Sequence, residues 1–378
     1  MFAYRVPAEW EPHEATWLTW PINKITWPGR HLKIVESIYI QMMQALLPGE
    51  KVHLLVPDRR WGRAVLRRLE SKKARTSNLI LHQVKTVDTW IRDYGPIFVK
   101  RRLQTADGRL QTKNIKGGSG LQSAVYSLQS KIAFTKWIFN AWGGKYKDLA
   151  RDDRVVDRVS FLKHYERTDV PMVLEGGSVD VNGQGICLTT EQCLLNPNRN
   201  PKLSKQNIED KIKKFLGVEK IIWLKEGIEG DDTDGHVDDI TRFVAPHTIL
   251  TAIEPDTRDK NHGVLKQNLE ILKASKNLSG KKFKIHEFPM PGRVEVEEGH
   301  SSSGRPLGDA RGRLPASYVN FYIGNGVVLL PVYSHRNDKL AVSMLKKFFP
   351  ERQIIPVECT SLVFGLGSIH CVTQQQPA

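Results

Sequence analysis

The chain has 378 residues, with 56 Lys and Arg against 41 Asp and Glu, for a formal net charge of +15. No run of 18 apolar residues occurs, and residues 1–10 lack an apolar core of signal-peptide length; these features argue against a membrane span and lead to the expectation of a cytoplasmic protein. Four cysteines, Cys187, Cys193, Cys359 and Cys371, include no C-x-x-C pair and no histidines at zinc spacing, which disfavours a disulfide framework and a structural zinc site.

In chain order, a helix over 32–46 leads into an apolar strand at 52–56. A second helix carries Arg59, Arg60, Arg63, Arg67, Arg68, Lys72, Lys73 and Arg75 around Val65, Leu66 and Leu69, followed by a strand at 79–84. That spacing describes the solvated face of an amphipathic helix, and no zinc-finger, RRM or KH signature accompanies it to suggest a nucleic-acid module. Trp90-Ile91-Arg92-Asp93-Tyr94-Gly95-Pro96 then puts aromatic walls beside a carboxylate at the head of a hairpin predicted to pair 97–101 with 110–115. Taken alone, a surface turn with an Arg-Asp pair would also account for it.

From about residue 170 a hairpin–helix–strand pattern recurs three times. The first copy takes 172–174 through the Asn182-Gly183 turn to 186–188, a helix over 205–215 and a strand at 220–224. The second takes a hairpin over 240–253, a helix over 264–274 and a strand at 283–288. The third takes 318–323 and 327–332 around Gly324-Asn325-Gly326, a helix over 339–349 and a strand at 353–357. Between the last two, residues 297–313 are rich in Ser, Gly and Arg and are expected to form an exposed loop. Counting the N-terminal helix–strand pieces, the chain holds five such units, the first completed by C-terminal residues. Units of one kind packed side by side bury a shared core and can close in a ring, so residues 1–378 are expected to form a single catalytic domain.

Three polar interruptions fall at corresponding junctions of these units. Glu175, in Leu174-Glu175-Gly176-Gly177, breaks an apolar run, and a buried carboxylate there must meet a basic group or a cationic ligand. The stretch 226–239 gathers seven acids in fourteen residues with no Lys or Arg, yet does not follow the EF-hand spacing. Within it, His236 and Asp238 would share a face if the segment were extended. The third interruption is Gly365-Leu366-Gly367-Ser368-Ile369-His370-Cys371, a thiol after a glycine-bearing turn. In a closed ring, Asp93, Glu175, His236, Asp238 and Cys371 would converge. Carboxylates that grip a planar N–H fork, an imidazole and a thiolate are the set needed to attack a guanidinium carbon.

These motifs resemble those of the agmatine deiminases, within the bacterial-type peptidylarginine deiminase family of the guanidino-group-modifying, or pentein, superfamily. The likeness runs through Pro7 to Trp17, Trp90 to Pro96, Trp142 to Tyr146, Glu175-Gly176-Gly177, Asn196 to Pro201, Asp234 to Asp238, Ser317 to Tyr322 and Ile369 to Gln375. It implies an α/β fold, a five-bladed α/β propeller. It further implies Cys371 as nucleophile, His236 as general acid and base, and Asp93 and Asp238 as the guanidinium clamp. Trp90, Glu175 and Asp232 are implied as substrate-binding residues. The implied reaction is hydrolysis of agmatine to N-carbamoylputrescine and ammonia, supplying putrescine for polyamine synthesis, without metal or organic cofactor. The implied partner is a small cationic guanidino molecule, with no membrane, nucleic acid disfavoured and a homodimer as a candidate assembly. Alternatives are deimination of free or peptidyl arginine, or a non-catalytic polyamine- or nucleic-acid-binding relative. Leu366 and Ser368 depart from the family pattern, which has Gly and Asn there.

Overall fold

A computed structural model of the chain describes residues 4–101, 132–295 and 312–378. The strand predicted at 110–115 and nearly all of the predicted loop at 297–313 lie outside the described residues. The described residues form five sheets. In each of the last three, a hairpin is followed by a parallel strand, and parallel neighbours require a long crossover, which a helix supplies. Asp180–Val181 pairs antiparallel with Ile186–Thr190, and helix Lys205–Leu216 returns the chain to the parallel strand Lys220–Leu224. Thr241–Ala245 and Thr248–Ile253 lead through helix Lys260–Ala274 to Lys284–Pro289. Tyr322–Ile323 and Val327–Val332 lead through helix Asp338–Phe348 to Gln353–Glu358.

The first sheet is assembled from the two ends of the described chain. Strands His13–Thr19, Lys51–Val56 and Leu79–Gln83 run parallel, linked by helices His31–Leu46 and Arg59–Ser71. Thr373–Pro377 adds antiparallel to His13–Thr19, with Gln374 opposite Trp17. This is the predicted completion of the first unit by C-terminal residues, and the five α/β units agree with the propeller expectation. In the second sheet Ile97–Arg101 pairs with Ile132–Ile138, which then lies parallel to Glu166–Val173.

Two boundaries differ from the sequence reading. Ile132–Ile138 was not anticipated as a strand. Met172 and Val173 close the second sheet, while the hairpin after them begins at Asp180. Strand Glu166–Val173 was obscured because its first half exposes Glu166, Arg167 and Asp169, with Arg167 bridging to Asp169 at 2.6 Å, and only its second half is apolar.

Local chemistry sets the helix ends. Ser204 and Asn207 form a reciprocal capping box, and Gly217 ends that helix at φ 68°. Asp58 caps the basic helix by accepting from the Arg60 and Trp61 N–H groups. That helix buries Gly62, Val65 and Leu69 and exposes Arg59, Arg60, Arg63 and Arg67, the solvated face its spacing predicts. No helix among the described residues is long and apolar enough to cross a membrane.

Candidate active site

Residues 90–95 turn sharply before the strand Ile97–Arg101, and the turn sends two neighbouring charged side chains to different partners. Asp93 accepts from the Gly177 N–H at 3.0 Å and from Trp142 Nε1 at 2.9 Å. Arg92 instead donates to the His370 carbonyl at 3.2 Å and to Gln375 at 2.7 Å, and faces Glu9 at 3.3 Å. Both side chains are buried, so the surface Arg-Asp pair considered from sequence is not formed.

Gly177 is the point on which the polar groups close. A Cβ at this position would lie 2.6 Å from His236 Nδ1, 3.0 Å from Asp238 Oδ2 and 3.1 Å from Asp93 Oδ1. Glycine is therefore required by close approach. His236 and Asp238 share this space, though not through strand alternation: Val237–Asp239 forms a 3-10 turn that His236 precedes. Asp231 holds the turn by accepting the His236 N–H at 2.9 Å and the Thr233 N–H at 2.8 Å.

Cys371 completes the group. Its thiol and carboxylate oxygens of Asp238 and Asp239 lie within 4.8 Å of one another. Asn320 Nδ2 donates to its Sγ at 3.3 Å and to Asp239 Oδ1 at 3.0 Å, while Asn320 Oδ1 accepts the His370 N–H at 2.9 Å. The Ser368 backbone N–H also faces the thiol. Cys371 is 7% exposed, and that exposure opens into a cavity with Trp90, Asp93, Trp142, Tyr146, Asp232, Thr233 and Leu366 in its wall. At the mouth, Tyr146 donates to Asp232, and Lys145 Nζ reaches the Asp232 carbonyl at 2.6 Å and Asp234 at 2.7 Å.

Burial and charge set the protonation of this group. Burial, reinforced by Asp238, Asp239 and Asp93, pushes the Cys371 thiol well above the ordinary thiol range. For Asp93, burial and the charges of Asp238 and Glu175 outweigh His236 and raise its pKa to about 6. Burial opposes a charged His236 ring, but Asp93, Cys193 and Asp238 together hold its pKa well above the usual value. Burial likewise opposes ionisation of Asp238, yet the hydrogen bond and charge of His370, with His236 and Arg242, keep it below the usual range. Asp238 Oδ2 accepts from His370 Nδ1 at 2.6 Å. Its Oδ1 is buried and has no hydrogen-bond partner among the described residues. That atom is an acceptor open to a cationic N–H donor.

Four residues that the sequence reading left without a role support this geometry. His370 lies between Asp238 and Glu9, its Nε2 2.8 Å from Glu9 Oε2. Both ring nitrogens face carboxylate oxygens, so both donate only if the ring carries two protons. Glu9 in turn accepts from the Ile323 N–H at 2.9 Å and pairs with Arg242 at 2.9 Å, tying the N-terminal segment to two other units. Asn320 and Trp142 bind Cys371 and Asp93 as described. Their signal is positional: His370 adjoins the nucleophile candidate, and the others fall inside the stretches that carry the family resemblance.

Glu175 departs from its expected place. It does not border the cavity; its Oε1 accepts from Arg199 Nε at 2.7 Å with both side chains fully buried. The basic group required by a buried carboxylate is Arg199, which also binds Asp234 Oδ2. Glu175 stands behind His236, where the two and Cys193 bring ligand atoms within 4.8 Å of one another. Among the described residues, this set and Asp238–Asp239–Cys371 are the groupings of at least three His, Cys, Asp or Glu that could hold an ion. An ion in either would occupy His236 or Cys371. The other expected site residues, Cys371, Asp93, Trp90 and Asp232, share the cavity wall, with His236 and Asp238 adjoining it at Gly177.

The Porphyromonas-type peptidyl-arginine deiminase family model matches residues 5–377. An agmatine deiminase of Medicago truncatula is 34% identical over 387 residues, spanning 99% of this chain and 96% of that protein. The solved agmatine deiminase of Enterococcus faecalis superposes with a TM-score of 0.84 at 30% identity, over 99% of this chain and 96% of its own. An agmatine deiminase of C. jejuni solved with substrate bound gives a TM-score of 0.79 at 28% identity, again over 99% and 96%. The matched span, residues 5–377, runs over all five sheets and the site, and the chain belongs to the Porphyromonas-type peptidyl-arginine deiminase family, within the pentein superfamily.

Proposed function

We propose that this protein hydrolyses agmatine to N-carbamoylputrescine and ammonia, with residues 1–378 acting as one catalytic domain. The observation that carries the reading is the buried, unpartnered Oδ1 of Asp238, in a carboxylate group within 4.8 Å of the Cys371 thiol. A guanidinium supplies what this place lacks, a planar cation with N–H donors and an electrophilic carbon. Asp93 and Asp238 hold its nitrogens. Trp90 and Trp142 flank the methylene stem, and the distal ammonium faces Asp232 at the mouth, an end group that agmatine has and an acidic side chain would not provide.

Substrate also makes the nucleophile. Burial and the neighbouring carboxyl groups keep the resting thiol protonated, and a bound guanidinium reverses the local charge, so that the thiol loses its proton to solvent. The Cys371 thiolate forms the S–C bond, giving a tetrahedral adduct. Protonated His236 transfers its proton to the departing nitrogen, the C–N bond breaks and ammonia leaves a thiouronium on the thiol. Neutral His236 then takes a proton from water as the oxygen adds to the same carbon. Collapse expels the thiolate and releases the ureido product, and the proton lost from the adduct's hydroxyl converts ammonia to ammonium. Glu175 and Cys193 stand behind the ring and fix its position.

The test is mass spectrometry of enzyme quenched during turnover of agmatine, with free arginine and an arginyl peptide as parallel substrates. A thiouronium adduct on Cys371 with agmatine, together with loss of ammonia release in Cys371→Ala, is the expected result. Full activity in that variant, or an adduct only with arginine or peptide, overturns it.

A further inference from the structure

The loop 365–367 places its backbone demands where they would not be expected. Leu366 has φ 71°, in the left-handed region that residues with side chains seldom enter. Its flanking glycines lie outside that region and are glycines for another reason. A Cβ on Gly365 would come within 2.8 Å of the Trp27 ring, and one on Gly367 within 2.4 Å of the Trp90 ring. The position where glycine would relieve the backbone thus carries a leucine.

Leu366 borders the cavity with Trp90, Trp142 and Cys371, and is partly buried against the main core. Among the described residues, non-glycine residues at positive φ include Trp142, at φ 52° in the same wall, and Asp234, at φ 64° beside the mouth. Unfavourable backbone conformations retained around one cavity are the pattern of a wall shaped for a ligand. The catalytic steps above make no use of Leu366, so its role lies in what the cavity admits.

Resting on the agmatine reading, we propose that Leu366 is a specificity-determining residue that packs over the methylene stem of the guanidino substrate and excludes substrates bearing an α-carboxylate. An apolar wall gains from contact with methylenes and offers a carboxylate no donor, so a carboxylate placed against it loses water without replacement. The same cavity is lined by Asp93 and Asp232, which repel an anion. Lys145, beside the mouth, is committed to Asp232 and Asp234 and does not supply the missing countercharge. Free arginine differs from agmatine by that α-carboxylate, and this wall is where the two part.

The test compares wild type, Leu366→Gly and Leu366→Ala by kcat and KM for agmatine and free arginine, read as ureido product, alongside thermal unfolding. Both substitutions remove the apolar contact, while the glycine alone also relieves the backbone. The KM for agmatine should rise about tenfold in both, with kcat within about twofold of wild type, as for loss of binding contact shared by ground and transition states. The agmatine-to-arginine ratio of kcat/KM should fall by about tenfold. Leu366→Gly should unfold at no lower a temperature than Leu366→Ala, and it carries the test alone if the alanine variant is insoluble. An unchanged ratio in Leu366→Gly overturns the proposal, as does a fall in kcat at constant KM, which would make the loop a support for the thiol. Wild-type enzyme that acts on neither compound overturns the agmatine reading instead.

Discussion

Two glycine-bearing turns serve the same site, one behind the cavity and one in its wall, and obey different constraints. At Glu175-Gly176-Gly177 the missing side chain is the space in which Asp93, His236 and Asp238 meet, and nothing larger than hydrogen fits. At Gly365-Leu366-Gly367 the glycines only clear two tryptophan rings, and the least comfortable backbone belongs to a residue with a side chain. The first turn is fixed by the chemistry it encloses. The second carries a choice of wall, made at a cost in backbone strain.

The largest effect should come from collapsing the first turn. Gly177→Ala pushes a methyl into the group formed by His236, Asp238 and Asp93, and kcat/KM for agmatine should fall by roughly a hundredfold or more, since small misplacements of reacting groups cost that much. If Gly177→Ala stays within about threefold of wild type, the difference between the two turns disappears. Next comes His370, which holds Asp238 from behind. His370→Ala leaves Asp238 buried with no donor to its Oδ2, and breaking such a pair should destabilise the protein by about 3 kcal/mol or more in denaturant unfolding. The KM for agmatine should also rise more steeply than in wild type as pH falls, because Asp238 loses the partner that holds its pKa down. A pH dependence of KM no steeper than that of wild type would leave His370 a merely structural residue.

A gentler effect follows from Asp93, whose pKa is raised to about 6. The clamp needs its ionised form, so kcat/KM should drop about tenfold per pH unit below about 6 and level off above it. Stability runs the other way. A carboxyl that binds its proton more tightly when folded contributes stability present below the unfolded pKa of about 4 and lost as pH rises through the folded value. Between pH 4 and 7, the stability difference between Asp93→Asn and wild type should therefore move in the variant's favour, by up to about 3 kcal/mol. A difference independent of pH would show that Asp93 titrates normally.

The repeated units were legible because their strands are short apolar runs, their helices are amphipathic, and glycine turns or caps separate them. Helix Lys205–Leu216 stands between Ser204 and Gly217, both readable cues. Strand Ile132–Ile138 is not legible locally, because Ile97–Arg101 reaches across more than thirty residues for this partner. The site was legible as a set of residue types. Its connections were not: Arg92 and Asp93 are neighbours with separate partners, Glu175 meets an arginine 24 positions away, and His370 joins Asp238 to Glu9. Such pairings depend on the closure of the ring, which no local pattern encodes.

That closure has a consequence for synthesis. The strand Thr373–Pro377, which begins just after Cys371, pairs with His13–Thr19, so the first sheet cannot close until the chain has been made through that strand. During translation the acidic clamp residues emerge long before the thiol and remain without it. Until residues 373–377 have been made, Cys371 lacks the strand that seats it and the site is incomplete.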